Sequence, residues 1–175
     1  FLEALTNLSK QLFYVTDEAS SRMNLVRQVS AFLRNGGAVL TYPAGHIEPD
    51  PDLYTDAADS LEKWTDSVGV FLRMSPETPI LPILVRGVIW KKAITHPLTR
   101  IRKTRLDREA LAAAFQVFMM MRGKIKDMHI RAQIGNPIYA KQLGTTETKI
   151  IHQSVLAEMK RLIQNPPTDH GKSIL

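Results

Sequence analysis

A set of polar side chains follows a proline-glycine bend near residue 43. The segment 42–46 reads Tyr-Pro-Ala-Gly-His, and Glu48 and Asp50 follow at alternate positions. Proline fixes φ and glycine lets the backbone approach a ligand, so this bend suits a binding loop. Its polar groups could bind a hydroxyl or an amine, or they could form an exposed, solvated loop. The candidate substrate-binding residues here are Tyr42, Pro43, Ala44, Gly45, His46 and Glu48.

Two further chemistries are open to the same histidine. His46 could act as a general base, although the sequence guarantees no carboxylate to orient its ring. The pattern His-x-Glu-x-Asp could also bind a metal, but no further histidine or cysteine cluster supports such a site. The chain has no cysteine, which excludes disulfides and thiolate ligands. We therefore expect no catalytic residue and no metal ligand within this chain.

A second segment, residues 78–85, reads Thr-Pro-Ile-Leu-Pro-Ile-Leu-Val. Pro79 and Pro82 belong to an apolar run that is typical of the start of a strand or of an edge strand, because proline cannot donate to a sheet. Both prolines are added to the candidate substrate-binding residues. Taken singly, this segment and the bend at 43–45 are weak signals.

Together the two segments resemble two sequence blocks of the glycerolipid acyltransferase superfamily, which includes the lysophosphatidate acyltransferases. Residues 42–47 stand where the family has Phe-Pro-Glu-Gly-Thr-Arg, and residues 79–83, about 36 positions later, resemble its Val-Pro-Ile-x-Pro-Val strand. Residues 63–67 resemble the helix opening between those blocks, and residues 129–138 the later strand with its Gly-x-Pro turn. The resemblance covers roughly residues 12–163. It implies transfer of a fatty acyl group from acyl-CoA or acyl carrier protein to a hydroxyl or amine of a lipid precursor, with no other cofactor.

Two departures from the family pattern bear on activity. The family's catalytic His-x4-Asp pair, whose histidine is the general base, is missing: none of the five histidines has aspartate five positions later. Because the chain starts at Phe1, we expect that pair upstream and regard this chain as truncated at its amino end. A non-catalytic lipid- or acyl-binding module is the alternative. Ala44 and Ile47 replace the family's glutamate and its phosphate-associated arginine, so glycerol phosphate is not the expected acceptor.

The charge distribution indicates an anionic partner. Residues 1–85 carry a net charge of −5, residues 86–125 carry +8, and residues 126–175 carry +3. Trp90, Ile94, Leu98 and Ile101 recur at helical spacing among cations, a pattern typical of a helix on anionic lipid. Pro97 should break or kink this stretch. A solvated helix face is the alternative, and we expect no nucleic-acid partner because aromatic residues are sparse. The expected membrane-surface residues are Trp90, Lys91, Lys92, Arg100, Arg102, Lys103 and Arg105.

The uncharged run at residues 110–121 comes next in the chain. It is too short to span a bilayer, which requires roughly 20 apolar residues. We expect it to pack in the core, with contact to lipid or an acyl-chain groove as alternatives. The expected location is cytoplasmic, peripheral on the inner face of a membrane.

Helical and strand patterns alternate along the chain. Strands are predicted at 12–15, 38–42, 80–85 and 128–134, and helices at 2–11, 17–34, 56–74, 146–163 and within 88–121. Alternation of this kind predicts an α/β fold with a largely parallel central sheet flanked by helices, as in the acyltransferase family. Ligands bind at the carboxyl ends of such strands, so the loops after Tyr42 and Val85 should meet at one cleft. We expect one domain over 1–164 and a disordered tail over 165–175.

Overall fold

The computed structural model describes residues 12–13, 18–125 and 128–168. Two strands are present in this part of the chain, β1 (Ile83–Arg86) and β2 (Arg131–Ile134). A 3-10 helix covers Ala57–Lys63. The α-helices are α1 (Ala19–Arg34), α2 (Ser67–Met74), α3 (Lys91–Ile94), α4 (Pro97–Arg100), α5 (Arg105–Met121) and α6 (Thr148–Gln164).

The predicted parallel sheet was wrong. β1 and β2 pair antiparallel, with Ile83 opposite Ile134 and Arg86 opposite Arg131, and they form the only sheet among the described residues. Residues 38–42 have no regular secondary structure, and Leu40 is 72% exposed. A short apolar run becomes a strand only when a partner strand takes up its backbone N–H and C=O groups, and such pairing is not encoded locally.

Burial along β1 alternates, so the sheet has one covered face. Leu84 and Arg86 point inward, whereas Ile83 and Val85 are nearly half exposed. The continuous apolar run had suggested a strand covered on both sides, as in a parallel sheet. The register places Ile83 beside Ile134 on the exposed face.

Several helix boundaries that depend on local signals were predicted correctly. Helix α1 ends before Asn35-Gly36-Gly37, and Gly36 takes a φ of +83°, the left-handed conformation that commonly terminates a helix. Pro97 stands at the first position of α4, separate from α3, as expected of a residue that cannot continue a helix. Helix α6 lies close to the predicted 146–163. The helix predicted over 56–74 is instead a 3-10 helix and α2, separated by residues 64–66.

The described residues fall into two compact units. The first unit draws on Phe1–Pro43, Thr65–Ile80 and Pro137–Val155. Its buried cluster consists of Val68 and Leu72 of α2, Ala140, which lies before α6, and Ile151 of α6, with Ile80 and Leu143 partly buried against it. An isolated antiparallel bridge pairs Ile80 with Ile138.

The second unit draws on Ala44–Trp64, Leu81–Asn136 and Leu156–Leu175. It holds the β1–β2 sheet, the 3-10 helix and helices α3 to α5, with α3 and α4 both packed against α5. Ala93 and Ala112 are completely buried, which lets these helices approach closely. Most of the residues singled out by the sequence belong to this unit. The predicted helix at 2–11 and positions 169–175 of the predicted tail lie outside the described residues.

Candidate functional site

The loop that follows the proline-glycine bend is joined to the segment that follows β1 through one carboxylate. Asp50 Oδ2 accepts a hydrogen bond from the Val88 amide at 2.8 Å, and Oδ1 accepts from the Gly87 amide at 3.2 Å. Asp50 Oδ1 also accepts from the Asp52 amide at 3.0 Å, which closes a short turn within the loop. Asp50 is 7% exposed, so these donors replace water around a buried carboxylate. The loops after Tyr42 and Val85 therefore meet at residues 50 and 87–88.

A buried arginine fixes the same junction from the inside. Arg86 is 2% exposed, and its Nη1 lies 3.1 Å from Asp52 Oδ1. Its Nη2 donates to the Leu162 carbonyl at 2.8 Å, at the last turn of α6. Arg131 Nη2 lies 3.5 Å from Asp52 Oδ2, so the carboxylate stands between two cations. Arg86, Asp52 and Arg131 were missed by the sequence reading, although a charge at a period-two inward position of β1 was a signal.

Glu48 is held by its own part of the second unit. Its Oε1 accepts from Trp64 Nε1 at 2.6 Å and from Ser60 Oγ at 2.9 Å. These bonds tie the loop to the end of the 3-10 helix. The carboxylate of Glu48 thus has two donors from within the protein, and its substrate-binding role stays a prediction.

The bend itself leaves two side chains in solvent. Tyr42 is 76% exposed, and His46 is exposed with its Nδ1 donating to the Ala44 carbonyl at 2.7 Å. Gly45 has a φ of +67°, a left-handed conformation that glycine adopts without strain. Pro43 belongs to the first unit, where its carbonyl accepts from the Thr65 amide at 3.2 Å. Tyr42 and His46 are therefore the exposed polar side chains of this loop, and the apolar Ile47 is 75% exposed as well.

The two prolines of the second segment have different surroundings. Pro79 is exposed in the first unit, just before the Ile80 bridge. Pro82 is buried in the second unit, and its carbonyl accepts from the Gly135 amide at 2.9 Å. It precedes β1 directly, as expected of a proline at a strand start.

The three polar residues of the first motif do not converge on one point. His46 bonds within its loop, Glu48 bonds to Trp64, and Asp50 bonds to the amides after β1. In the described ranges, no group of three or more metal-ligating side chains could hold an ion. The His-x-Glu-x-Asp spacing is used here to hold a loop.

The basic segment is not one helix. The sequence placed Trp90, Ile94, Leu98 and Ile101 on one helical face, and this prediction was wrong because the chain breaks between α3 and α4. Trp90 and Ile94 are half-buried, whereas Leu98 and Ile101 are 54% and 74% exposed. The cations that lie exposed are Lys91, Lys92, Arg100, Arg102 and Lys103.

Gln116 of α5 holds the backbone between Val88 and Trp90. Its Oε1 accepts from the Trp90 amide at 2.7 Å, and its Nε2 donates to the Val88 carbonyl at 3.1 Å. One buried amide thus pairs a donor and an acceptor of the chain leaving β1. No pattern in the sequence indicated this role, because a glutamine among alanines and methionines looks like a polar surface position.

Arg105 is engaged within the second unit rather than free on the surface. Its Nη2 lies 2.6 Å from Asp56 Oδ1, and its guanidinium lies 3.9 Å from the ring centroid of Tyr54. The hydrogen bond from Arg105 lowers the pKa of Asp56. Burial raises the pKa of Tyr54, and the negative charge of Glu109 raises it further. Arg105 thus forms an ion pair that joins α5 to residues 54–56 while its side chain stays 39% exposed, and its place on a membrane surface stays a prediction.

Helix α5 buries less of the 110–121 run than the sequence predicted. Ala112 and Gln116 are its buried members, whereas Val117, Phe118, Met120 and Met121 lie about half exposed or more. Core packing thus accounts for one side of the helix alone.

Within the part of the chain that the structure describes, no helix has the length and apolar character needed to cross a bilayer. Comparison of the chain with protein-family models, with curated proteins and with solved structures finds no match.

Proposed function

We propose that the protein is an acyltransferase that acts at a membrane surface and moves a fatty acyl group from acyl-CoA or acyl carrier protein to a hydroxyl or an amine of a lipid precursor. The observation that carries the proposal is the bonding of Asp50 to the amides of Gly87 and Val88. It brings the loop of the first motif against the residues that follow the second motif. The sequence led us to expect that these loops meet because of a parallel sheet, which the described residues do not form; the hydrogen bonds of Asp50 bring residue 50 to residues 87–88 without one.

The reaction needs an acceptor whose O–H or N–H bond breaks as its oxygen or nitrogen attacks the thioester carbonyl. The thiol of the donor leaves, and the acceptor's proton passes to a general base. The resemblance implies that this base is the histidine of a His-x4-Asp pair. Residues 42–48 would then supply acceptor recognition, and the exposed polar side chains in that loop are Tyr42 and His46.

The experiment uses purified protein expressed from its natural gene, with radiolabelled long-chain acyl-CoA or acyl carrier protein as donor. The acceptors are lysophospholipids, long-chain alcohols, long-chain amines and glycerol phosphate. We expect label in a lipid product and release of one thiol per acyl group, with glycerol phosphate the poorest acceptor because no arginine stands at position 47.

A matched pair of variants locates the acceptor loop. His46→Gln should raise the KM for the acceptor about tenfold and leave the KM for acyl-CoA unchanged, as expected on loss of one hydrogen bond to substrate. His129→Gln changes another exposed histidine and should alter neither constant. Equal effects of the two variants would contradict acceptor binding at residues 42–48.

A non-catalytic lipid- or acyl-binding module is the second candidate. It is favoured by one observation, that no histidine of this chain has aspartate five positions later. Saturable binding of acyl-CoA or lipid vesicles, without transfer to any acceptor, would establish this function in place of catalysis.

A further inference from the structure

We propose that helix α5 (Arg105–Met121) lies in the interfacial region of an anionic bilayer, with its exposed apolar face among the acyl chains. The inference rests on the proposed function to the extent that a lipid-modifying protein must reach a membrane. It replaces the face containing Trp90 as the lipid-contacting surface. The partner is a lipid surface of negative charge.

The two sides of α5 are chemically distinct. Glu109, Ala112 and Gln116 are buried at spacings of three and four, so they mark the inward side. The exposed apolar residues follow the same periodicity on the opposite side, and we call them the outer stripe. Its members are Leu106, Ala110, Ala113, Ala114, Val117, Phe118, Met120 and Met121.

The outer stripe is larger than the scattered apolar residues of an ordinary surface. Leu106 is 58% exposed, and Met121 is 83% exposed at the other end of the helix. The stripe continues for the full 17 residues of α5, which is about 25 Å at 1.5 Å per residue. A contiguous apolar face of this size on a protein surface indicates contact with a partner or a membrane.

The charged residues around α5 favour an anionic lipid surface as the partner of the outer stripe. Arg102 and Lys103 precede α5, and Arg122 and Lys124 follow it, all exposed. Residues 110–125 contain no acidic side chain. Asp107, in the first turn, accepts from Thr104 Oγ1 at 2.7 Å as part of the helix cap. Cations at both ends of an apolar stripe match the phosphates on either side of a helix that lies in the bilayer plane.

The geometry at the carboxyl end of α5 suits the boundary between acyl chains and headgroups. The guanidinium of Arg122 lies 4.3 Å from the ring centroid of Phe118. The charged guanidinium therefore stacks on an apolar ring of the stripe, a cation–π contact that holds the charge at the stripe's edge, where lipid phosphates would lie. Met120 and Met121 are flexible and unbranched, which suits contact with disordered acyl chains.

Vesicle binding tests the outer stripe directly. The probes are vesicles of phosphatidylcholine alone and of phosphatidylcholine with an equal amount of phosphatidylglycerol. We expect binding to the mixed vesicles, and the double variant Val117→Asn/Met121→Gln should weaken it about tenfold by removing apolar area that lipid would cover. The control variant Met23→Gln/Leu40→Asn makes similar changes at exposed positions outside α5 and should bind as the wild type does.

A fluorescent label reports whether α5 enters the bilayer. This chain has no cysteine, so Met121→Cys and Met23→Cys each accept one environment-sensitive dye. Addition of anionic vesicles should shift the emission of the dye at 121 to the blue and leave the dye at 23 unchanged. An unshifted dye at 121, or equal binding by the two double variants, overturns the insertion of α5.

Charge reversal at the cations provides an independent test of the proposal. Arg102→Glu/Lys103→Glu should reduce binding to the mixed vesicles at low salt by about tenfold or more, because each cation near such a surface contributes about 1 kcal/mol. Unchanged binding by this variant overturns the role of the cations. Acyl transfer to a dispersed short-chain acceptor is measured in parallel, so loss of the proposed function is seen separately from loss of vesicle binding.

Discussion

Asp50 accepts a hydrogen bond from the backbone amide of Val88 across 2.8 Å, although 38 residues separate them in the chain. The contact is between the one buried carboxylate of the motif loop and the first residues after β1. The acidic sequence of this loop is typical of a solvated surface, but Asp50 joins the loop to the residues that follow β1. The consequences for stability can be measured.

Removing that carboxylate should destabilise the protein. Asp50→Ala leaves the amides of Gly87 and Val88 without their acceptor in a buried position. We expect the free energy of unfolding to fall by about 2–4 kcal/mol, the range for losing hydrogen bonds to a charged group and leaving donors unpaired. Urea denaturation measures it, with Glu62→Ala, an exposed change, as the control. A loss below about 0.5 kcal/mol, typical of surface substitutions, would contradict the structure of this junction.

Gly87 should tolerate no side chain. Its φ is +74°, and a Cβ built there collides with the carbonyl oxygen of His129. Gly87→Ala should therefore cost about 3 kcal/mol or more, combining left-handed strain with a steric clash.

Gly123 is the matched control for this change. It has a φ of +65° and open space around a Cβ, so Gly123→Ala should cost only about 1–2 kcal/mol. Thermal or urea unfolding of both variants gives the comparison. Equal losses would show that the approach of His129 to Gly87 is not as close as described.

Arg86 and Arg131 flank the same carboxylate but should differ in their effect. Arg86→Met leaves the Leu162 carbonyl without its donor and leaves Asp52 with Arg131 alone. We expect a loss of about 3 kcal/mol, since removal of one member of a buried pair is strongly destabilising. Arg131 has a side chain that is 37% exposed, so Arg131→Met should cost less than about 1 kcal/mol. Urea denaturation measures the loss of unfolding free energy in each variant. A larger loss for Arg131→Met than for Arg86→Met would contradict the prediction.

Stability at acid pH should depend on Glu158. The hydrogen bonds from Arg161 lower the pKa of Glu158, with a further contribution from the Asn136 amide. A pKa lowered by folding means that the unfolded chain binds the proton more readily. The stabilisation is therefore complete above pH of about 4.3, the ordinary glutamate value, and is lost as the pH falls through the lowered folded value.

The measurement is urea unfolding of the wild type and of Glu158→Gln at a series of pH values from neutral to acid. The variant should lose part of the decline in unfolding free energy below about pH 4.5, because its side chain cannot titrate. Glu62→Gln, whose side chain is exposed, should keep the wild-type profile. If the unfolding free energies of Glu158→Gln and the wild type fell equally as the pH was lowered, the prediction would be contradicted.

The elements that were predicted correctly depend on local signals. The end of α1 follows from Asn35-Gly36-Gly37, and the separation of α3 from α4 follows from Pro97. Helix α6 follows from the spacing of Ile151, Val155, Met159 and Leu162, all of which are buried. In each case, residues within a few positions of one another determine the backbone conformation.

The candidate site could be predicted only in outline. The two motifs indicated that the loop after Tyr42 and the chain after Val85 belong together, and Asp50 joins them. The sequence could not assign Asp50 and Glu48 to internal bonds, because their donors are a backbone amide after β1 and the indole of Trp64. Two carboxylates that looked free to bind a ligand instead accept hydrogen bonds from residues distant in the sequence.

By itself, the sequence determined where helices stop, which segment carries the basic charge and which loop bears a proline-glycine bend. Only the tertiary structure decided that residues 38–42 remain unpaired, that β1 pairs antiparallel with β2, and that the 110–121 run exposes one side. The physical reason is that strand pairing and burial are relations between distant residues. An apolar pattern indicates that a segment can be buried. Whether it is buried depends on the distant segments that pack against it.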